Sequence, residues 1–245
     1  QLTREGRIRA ANAIITKRED GGLLDLNSID PKTGKIVREV LEDKLPPSIM
    51  PSPEFLNDPP DAPALLDITI TEETVAKAAT NIQGASGPDG LSGFMLKKWI
   101  LWYGETSRRL REAVADLAMQ LANEIRPSDS LAAILACRLV AIDKQPGVRP
   151  IGIGSVWRRL IAKSVLIALG DEPARICGNK QLCCGLRAGI EGAIHAAQAE
   201  WDAHDQDTDF GILQLDGDNA FQRINTYRML NTIRNKLPQA ARIAF

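Results

Sequence analysis

Two groups of residues in this chain have types and spacings that could do chemistry. The first is Asp216, which follows the apolar run Ile212-Leu213-Gln214-Leu215 and precedes Gly217 and Asp218. A carboxylate fixed at the end of a rigid strand suits Mg²⁺, which prefers near-octahedral oxygen ligation and keeps substrate phosphates in its shell. Asp216 could give one oxygen and the backbone carbonyl of Gly217 another. The same residues also read as a plain turn, because Asp-Gly-Asp-Asn opens a loop and caps a helix in any protein. The second group is Lys144 and Arg149, which flank the turn formers Gln145-Pro146-Gly147-Val148. Lysine is a mobile point charge and arginine a planar fork matched to phosphate oxygens, so the pair could clamp a polyanion such as a triphosphate. Exposed hairpin tips are also often basic for solubility alone.

The elements that must position these groups follow from periodicity. Cys137 to Ile142 and Arg149 to Ile153 are short apolar runs on either side of the turn and read as a β-hairpin. Ser155 caps a helix that continues to about Leu169. Phe210 to Leu215 reads as a second strand delivering Asp216, and a helix starts near Ala220. Upstream, Thr71 is a good N-cap with Glu72 and Glu73 at the positive helix end, and Val75, Ala78, Ala79 and Ile82 recur at helical spacing. The segment 84–90 stops that helix. Two more helices follow, with Leu110, Val114, Leu117 and Leu121 as the buried stripe of the second. Residues 4 to 20 read as a polar helix and Ile36 to Leu41 as a short amphipathic one. Seven of the fourteen prolines lie between Pro46 and Pro63, too dense for helix interior or central strand. Helices and strands interleave without a regular βαβ period, which favours an α+β fold.

Composition sets the outer limits. With 245 residues, 44% hydrophobic and 25% charged, the chain can bury a sizeable core as one or two domains. No apolar run reaches the length of a membrane span and no signal segment is visible, so an intracellular chain with no membrane partner is expected. Cys137, Cys177, Cys183 and Cys184 form no CxxC pair, and His195 and His204 lie downstream, so packed thiols are expected rather than a zinc site. The net charge of −1 hides a segregation. From Arg138 to Arg187 there are nine Lys or Arg against three acids, and from Ala188 to Gln222 eight acids and no Lys or Arg. A cationic arm that meets phosphate beside an acidic, cation-holding site would produce this pattern, as would two solvated faces of opposite sign.

Taken together, four blocks resemble the reverse transcriptases of non-LTR retrotransposons, in that family's order between Ile82 and Leu230. Gly87-Pro88-Asp89-Gly90-Leu91 looks like the opening block. Arg149-Pro150-Ile151 with Ser155-Val156-Trp157-Arg158-Arg159-Leu160-Ile161-Ala162-Lys163 looks like the second fingers motif, with Lys144 in the first. Gln181 to Leu186, then Gly189, Glu191, Ala193 and Ile194, resembles the glutamine-glycine block before the palm. Leu215-Asp216-Gly217-Asp218-Asn219-Ala220-Phe221 resembles the palm's aspartate motif. The stretch from Val40 to Pro47 is similar to the region before the polymerase.

The resemblance implies a partial polymerase right hand: an N-terminal helical segment over 1–45, a Pro-rich linker over 46–63, and fingers over 64–187. The start of a palm, with its first strand and helix, would occupy 188–245. It implies RNA-directed DNA synthesis, a nucleotidyl transfer to a primer 3′-hydroxyl with an RNA template, a DNA primer and deoxynucleoside triphosphates as partners. Lys144 and Arg149 would hold the incoming triphosphate, and Asp216 with the Gly217 carbonyl would bind Mg²⁺, two ions in the complete enzyme. Phe221 would act as the sugar gate, and Gln181, Gly185, Arg158 and Arg159 would contact template or primer. Family members carry a second metal-binding turn, aromatic-x-Asp-Asp, whereas this chain contains no Asp-Asp dipeptide and ends at Phe245. Gln1 in place of Met and the missing turn together give the expectation of an incomplete, inactive part.

Two other readings stay open. A retroelement-derived RNA-binding or scaffold remnant would keep the basic arm without catalysis. A DxD glycosyltransferase would use Asp216 and Asp218 for manganese, but leaves Lys144, Arg149 and the Gln181 block unexplained.

Overall fold

The computed structural model describes residues 22–45, 62–144, 147–178, 181–182, 187–217 and 220–244. The fold is mixed α and β, with helices predominating over one small sheet. Its strands are β1 (Leu23–Leu24), β2 (Cys137–Asp143) and β3 (Val148–Gly154), all antiparallel and ordered β1-β2-β3. The helix α1 (Val37–Lys44) covers one face of the hairpin, where Val37, Val40 and Leu41 form a small core with Ala141 and Val148. The segment 22–45 is thus packed on the hairpin rather than separate from it. The short strand β1 carries no β-branched residue and only two positions, too little pattern to be recognised in the sequence.

The main core belongs to helices. Thr71 caps α2 (Glu72–Thr80) by accepting from the Thr74 amide, and Val75, Ala78, Ala79 and the following Ile82 are buried. Ser92 caps α3 (Gly93–Leu101), which buries Gly93, Leu96 and Ile100. The long helix α4 (Gly104–Asn123) follows, then α5 (Ser128–Leu135), which no strong periodicity announces. In α4 the buried residues are Val114, Ala115, Ala118 and Ala122, and Leu110 and Leu121 pack partly buried against the core; of the expected stripe only Leu117, 43% exposed, is corrected. Close approach of α2 and α6 to α4 favours small alanines at the contact, with larger leucines displaced to its flanks.

Beyond the sheet, α6 (Val156–Leu169) buries Val156, Leu160, Ile161, Val165 and Leu169 in this core. It ends at Gly170, whose φ of 59° suits glycine. The helices α7 (Glu172–Cys177) and α8 (Gly189–Ala203) bury no residue. Next come α9 (Ala220–Arg223), α10 (Thr226–Lys236), a 3₁₀ turn (Pro238–Ala240) and α11 (Ala241–Ala244). Ile233, Leu237, Ala240 and Ile243 pack on the α2–α4–α6 core, so the last helices return to the helices that follow the strap.

They also fasten the extended strap over 62–70. The Arg234 guanidinium donates to the Pro63 carbonyl at 2.5 Å, and Arg242 donates to the Asp67 carboxylate at 2.7 Å and the Leu66 carbonyl at 3.3 Å. The Asn123 amide from α4 exchanges two 2.9 Å bonds with the backbone of Ile68.

One expected element does not form. Residues 211–217 belong to no strand, and Leu213 and Leu215 are 82% and 83% exposed. The expected first palm strand is corrected accordingly. A strand needs a neighbour to take its N–H and C=O groups, and the only sheet among the described residues is the β1-β2-β3 hairpin sheet. The polar helix expected over 4 to 20 and most of the Pro-rich segment lie outside the described residues. Among the described residues no helix is long and apolar enough to cross a membrane.

Candidate nucleotide and nucleic-acid interface

The hairpin is built as the alternation in its sequence requires. Ala141 pairs with Pro150 and Asp143 with Val148, and Ala141, Val148 and Pro150 are buried on the α1 side. The opposite face carries Arg138, Val140, Ile142, Arg149, Ile151 and Ile153, because these positions pair across the ladder with the other parity. Arg149, opposite Ile142, is therefore exposed. Lys144 is also exposed and closes the turn through its amide, which donates to the Gly147 carbonyl at 2.8 Å. Gly147 has φ of 93°, a conformation glycine adopts without strain.

A third cation stands at this end of the hairpin. Lys44, in the last turn of α1, donates from Nζ to the Val148 carbonyl at 2.7 Å. Sequence reasoning missed it because 104 residues separate the partners; only the packing of α1 on the sheet brings them together.

The 87–91 and 149–163 segments meet in space. Ser155, the cap of α6, accepts from the Trp157 amide and donates from Oγ to the Asp89 carboxylate at 2.6 Å. Asp89 turns its other oxygen to the Leu91 amide at 3.1 Å. Gly87 lies so close to the Gly154–Ser155 peptide that a Cβ there would stand 2.6 Å from the Gly154 carbonyl oxygen. Arg159 donates to the carbonyls of Gln83 at 2.6 Å and Ala85 at 2.7 Å, closing the loop that ends α2. Arg138 adds a 3.1 Å bond to the Ser86 carbonyl.

The four cations assigned from sequence therefore divide. Lys144 and Arg149 point charge toward solvent at the hairpin. Arg158 is exposed and leans on the Leu135 carbonyl at 3.3 Å and the Cys137 sulfur at 3.6 Å. Arg159 is committed to loop carbonyls, so much of its donor capacity is used inside the fold.

Asp216 and Gly217 are exposed in the irregular segment 211–217. Among the described residues no group of three or more His, Cys, Asp or Glu is placed to hold a metal ion. Among the described residues Asp216 is therefore a lone carboxylate, whereas a two-Mg²⁺ site needs ligands on both sides of the transferred phosphoryl. Preceding this segment, His204 stacks on Phe210 with centroids 4.2 Å apart, and Trp201 leans on the same ring at 6.2 Å. Gln181 is exposed. Phe221 falls in α9, while Gly185, Asp218, Cys183 and Cys184 lie outside the described residues. Cys137 is an exposed free thiol.

No protein-family model matches the chain, and neither a curated protein nor a solved structure shows significant similarity to it.

Proposed function

We propose that this chain forms the fingers and the opening of the palm of an RNA-directed DNA polymerase of the non-LTR retrotransposon type. The observation that carries the reading is the bond between Asp89 and Ser155. Each comes from a different fingers block of that family, and 66 residues separate them. The contact, part-buried, brings the two blocks together in space, as neighbouring parts of one fingers unit would be.

In this reading the hairpin presents Lys144 and Arg149 to the triphosphate of an incoming deoxynucleotide, and Arg158 contacts the template or primer backbone. Arg159 holds the 83–85 loop against α6 and so positions its neighbours. Gln181, Gly185 and Phe221 keep the roles near template, nascent pair and sugar that the resemblance implies. Asp216 is one carboxylate of a metal pair whose remaining ligands are not among the described residues, and no catalytic step is derived through it.

Triphosphate and primer–template binding test the reading. The chain is expected to bind a fluorescent deoxynucleoside triphosphate saturably, in competition with unlabelled triphosphate and only weakly with the monophosphate. Lys144→Ala and Arg149→Ala should each weaken it about tenfold, since a hydrogen bond to a charged group contributes about 1.5–3 kcal/mol. Binding of an RNA–DNA primer–template should fall steeply with rising salt, because phosphate contacts release counterions. The nucleic-acid scaffold reading rests on the basic residues alone, and it predicts primer–template binding with no triphosphate site. Absence of saturable triphosphate binding would therefore end the polymerase reading in favour of the scaffold.

A further inference from the structure

Four of the chain's aromatic residues, Phe94, Trp99, Trp102 and Tyr103, fall within ten positions of sequence. A helix buries only one stripe, and α3 spends that stripe on Gly93, Leu96 and Ile100. The aromatics are left outside: Phe94 is 61% exposed, Trp102 59%, Tyr103 58% and Trp99 41%. Phe94 and Trp102 meet edge to face, with centroids 6.2 Å apart and ring planes at 85°. Lys98 stands between them, one helical turn from each, with Nζ 4.6 Å from the Phe94 centroid and 5.0 Å from that of Trp102. The rings and the ammonium thus hold one another in a fixed arrangement on the surface of α3.

We infer that this aromatic–lysine stripe on α3 is a stacking platform for single-stranded nucleic acid. Every base has a π-face, so exposed rings interleaved with cations bind single strands with little sequence preference. The local charge agrees: from Leu91 to Arg111 there are five Lys or Arg and one acid. Three of these cations have internal partners, Lys97 with the Thr80 carbonyl, Arg108 with Glu105 and Glu112, and Arg111 with Glu72, which leaves Lys98 beside the rings and the exposed Arg109. A protein partner fits less well. Protein interfaces deplete lysine at their centres, and here a lysine occupies the middle of the patch. The platform is distinct from the hairpin and stands whether or not the chain descends from a polymerase.

Fluorescence anisotropy of a short labelled oligouridylate, with no triphosphate present, tests it. Phe94→Ala and Trp102→Ala should each weaken binding at least about fivefold, the equivalent of about 1 kcal/mol per stacked base. Their salt dependence should stay unchanged, because no phosphate contact is lost, whereas Lys98→Ala should flatten it. Trp201→Ala, an exposed tryptophan on α8, serves as the control and should bind as the parent does. Substitutions at such exposed positions leave the helical core intact, and circular dichroism verifies this. Parent-like binding by both ring variants overturns the inference, as does loss of binding only in Lys144→Glu/Arg149→Glu, which would credit the hairpin alone. Sedimentation showing a dimer that Trp102→Ala dissolves, with oligonucleotide affinity unaltered, overturns it in favour of a second copy of this chain.

Discussion

Replacing Gly87 with alanine should be among the most damaging single-methyl changes available in this chain. The added Cβ would lie 2.6 Å from the Gly154 carbonyl oxygen and 2.7 Å from both the Gly154 carbonyl carbon and the Ser155 nitrogen. All three are backbone atoms at the junction of β3 and α6, so no side chain can swing aside. The 84–90 loop must back away, and the 2.6 Å bond between Ser155 and Asp89 goes with it. Overpacking in a tight site costs about 1–3 kcal/mol, and loss of a hydrogen bond to a charged group about 1.5–3 kcal/mol. Together these predict a loss of about 3–5 kcal/mol in urea unfolding, or a fall in Tm of about 6–20 °C for a domain of this size. Gly90→Ala is the matched control, because Gly90 has φ of 70° but nothing within 4 Å of a built Cβ. It should lose only the left-handed strain, about 1–2 kcal/mol. If Gly87→Ala unfolds at the same urea concentration as Gly90→Ala, the close approach of the two blocks is not what fixes the loop.

Further outcomes follow from the same contacts. Ser155→Ala removes both the cap of α6 and the Asp89 partner, and should destabilise by about 2–3 kcal/mol. A double-mutant cycle with Asp89→Ala in urea should return a coupling of about 1 kcal/mol or more. Asn123→Ala strands the Ile68 N–H and C=O and should cost about 1–3 kcal/mol, with hydrogen exchange accelerated over 66–70. The Thr33 hydroxyl, donating to Asp30 at 2.7 Å, holds that carboxyl below its usual range against the opposing effect of burial, helped by the Lys32 and Thr33 amides. A depressed folded pKa contributes stability that is present above the unfolded value near 4 and is lost as pH falls through the folded one. Thr33→Val should therefore reduce stability at neutral pH and flatten the acid limb of a stability–pH profile, measured by urea unfolding at successive pH values.

Local signals carried much of the fold. Thr71 and Ser155 were legible as caps because a short hydroxyl before an apolar-periodic run has few other uses, and both accept from helix amides as expected. The hairpin was legible because its turn formers sit between two β-branched runs. What failed needed knowledge of neighbours. Ile212 to Leu215 has strand chemistry, yet whether it becomes a strand depends on a partner edge that its own residues do not encode. Leu117 has the right period for burial, but the alanines beside it allow the closer helix contact and take the inner face. At the interface, Lys144 and Arg149 could be picked out because the turn between them is local. Lys44 could not, and the inward commitment of Arg159 depends on carbonyls more than 70 residues away.

The fastening of the strap by Arg234 and Arg242 sets an order of events in folding. Their partners lie 171 to 176 residues away along the chain. Closing a loop of that length unaided would cost about 4–5 kcal/mol in chain entropy, as much as these three bonds return at the lower end of about 1.5–3 kcal/mol each. The strap therefore locks only after α2, α4 and α6 have gathered and already hold the two segments near each other. Ile68 and Ile70 are buried in that helical core and Asn123 of α4 holds the Ile68 backbone, so what waits for the last helices is the 63–67 end of the strap. A chain emerging from the ribosome would carry that end unfastened through the synthesis of everything up to α10, and in that interval it is open to chaperones.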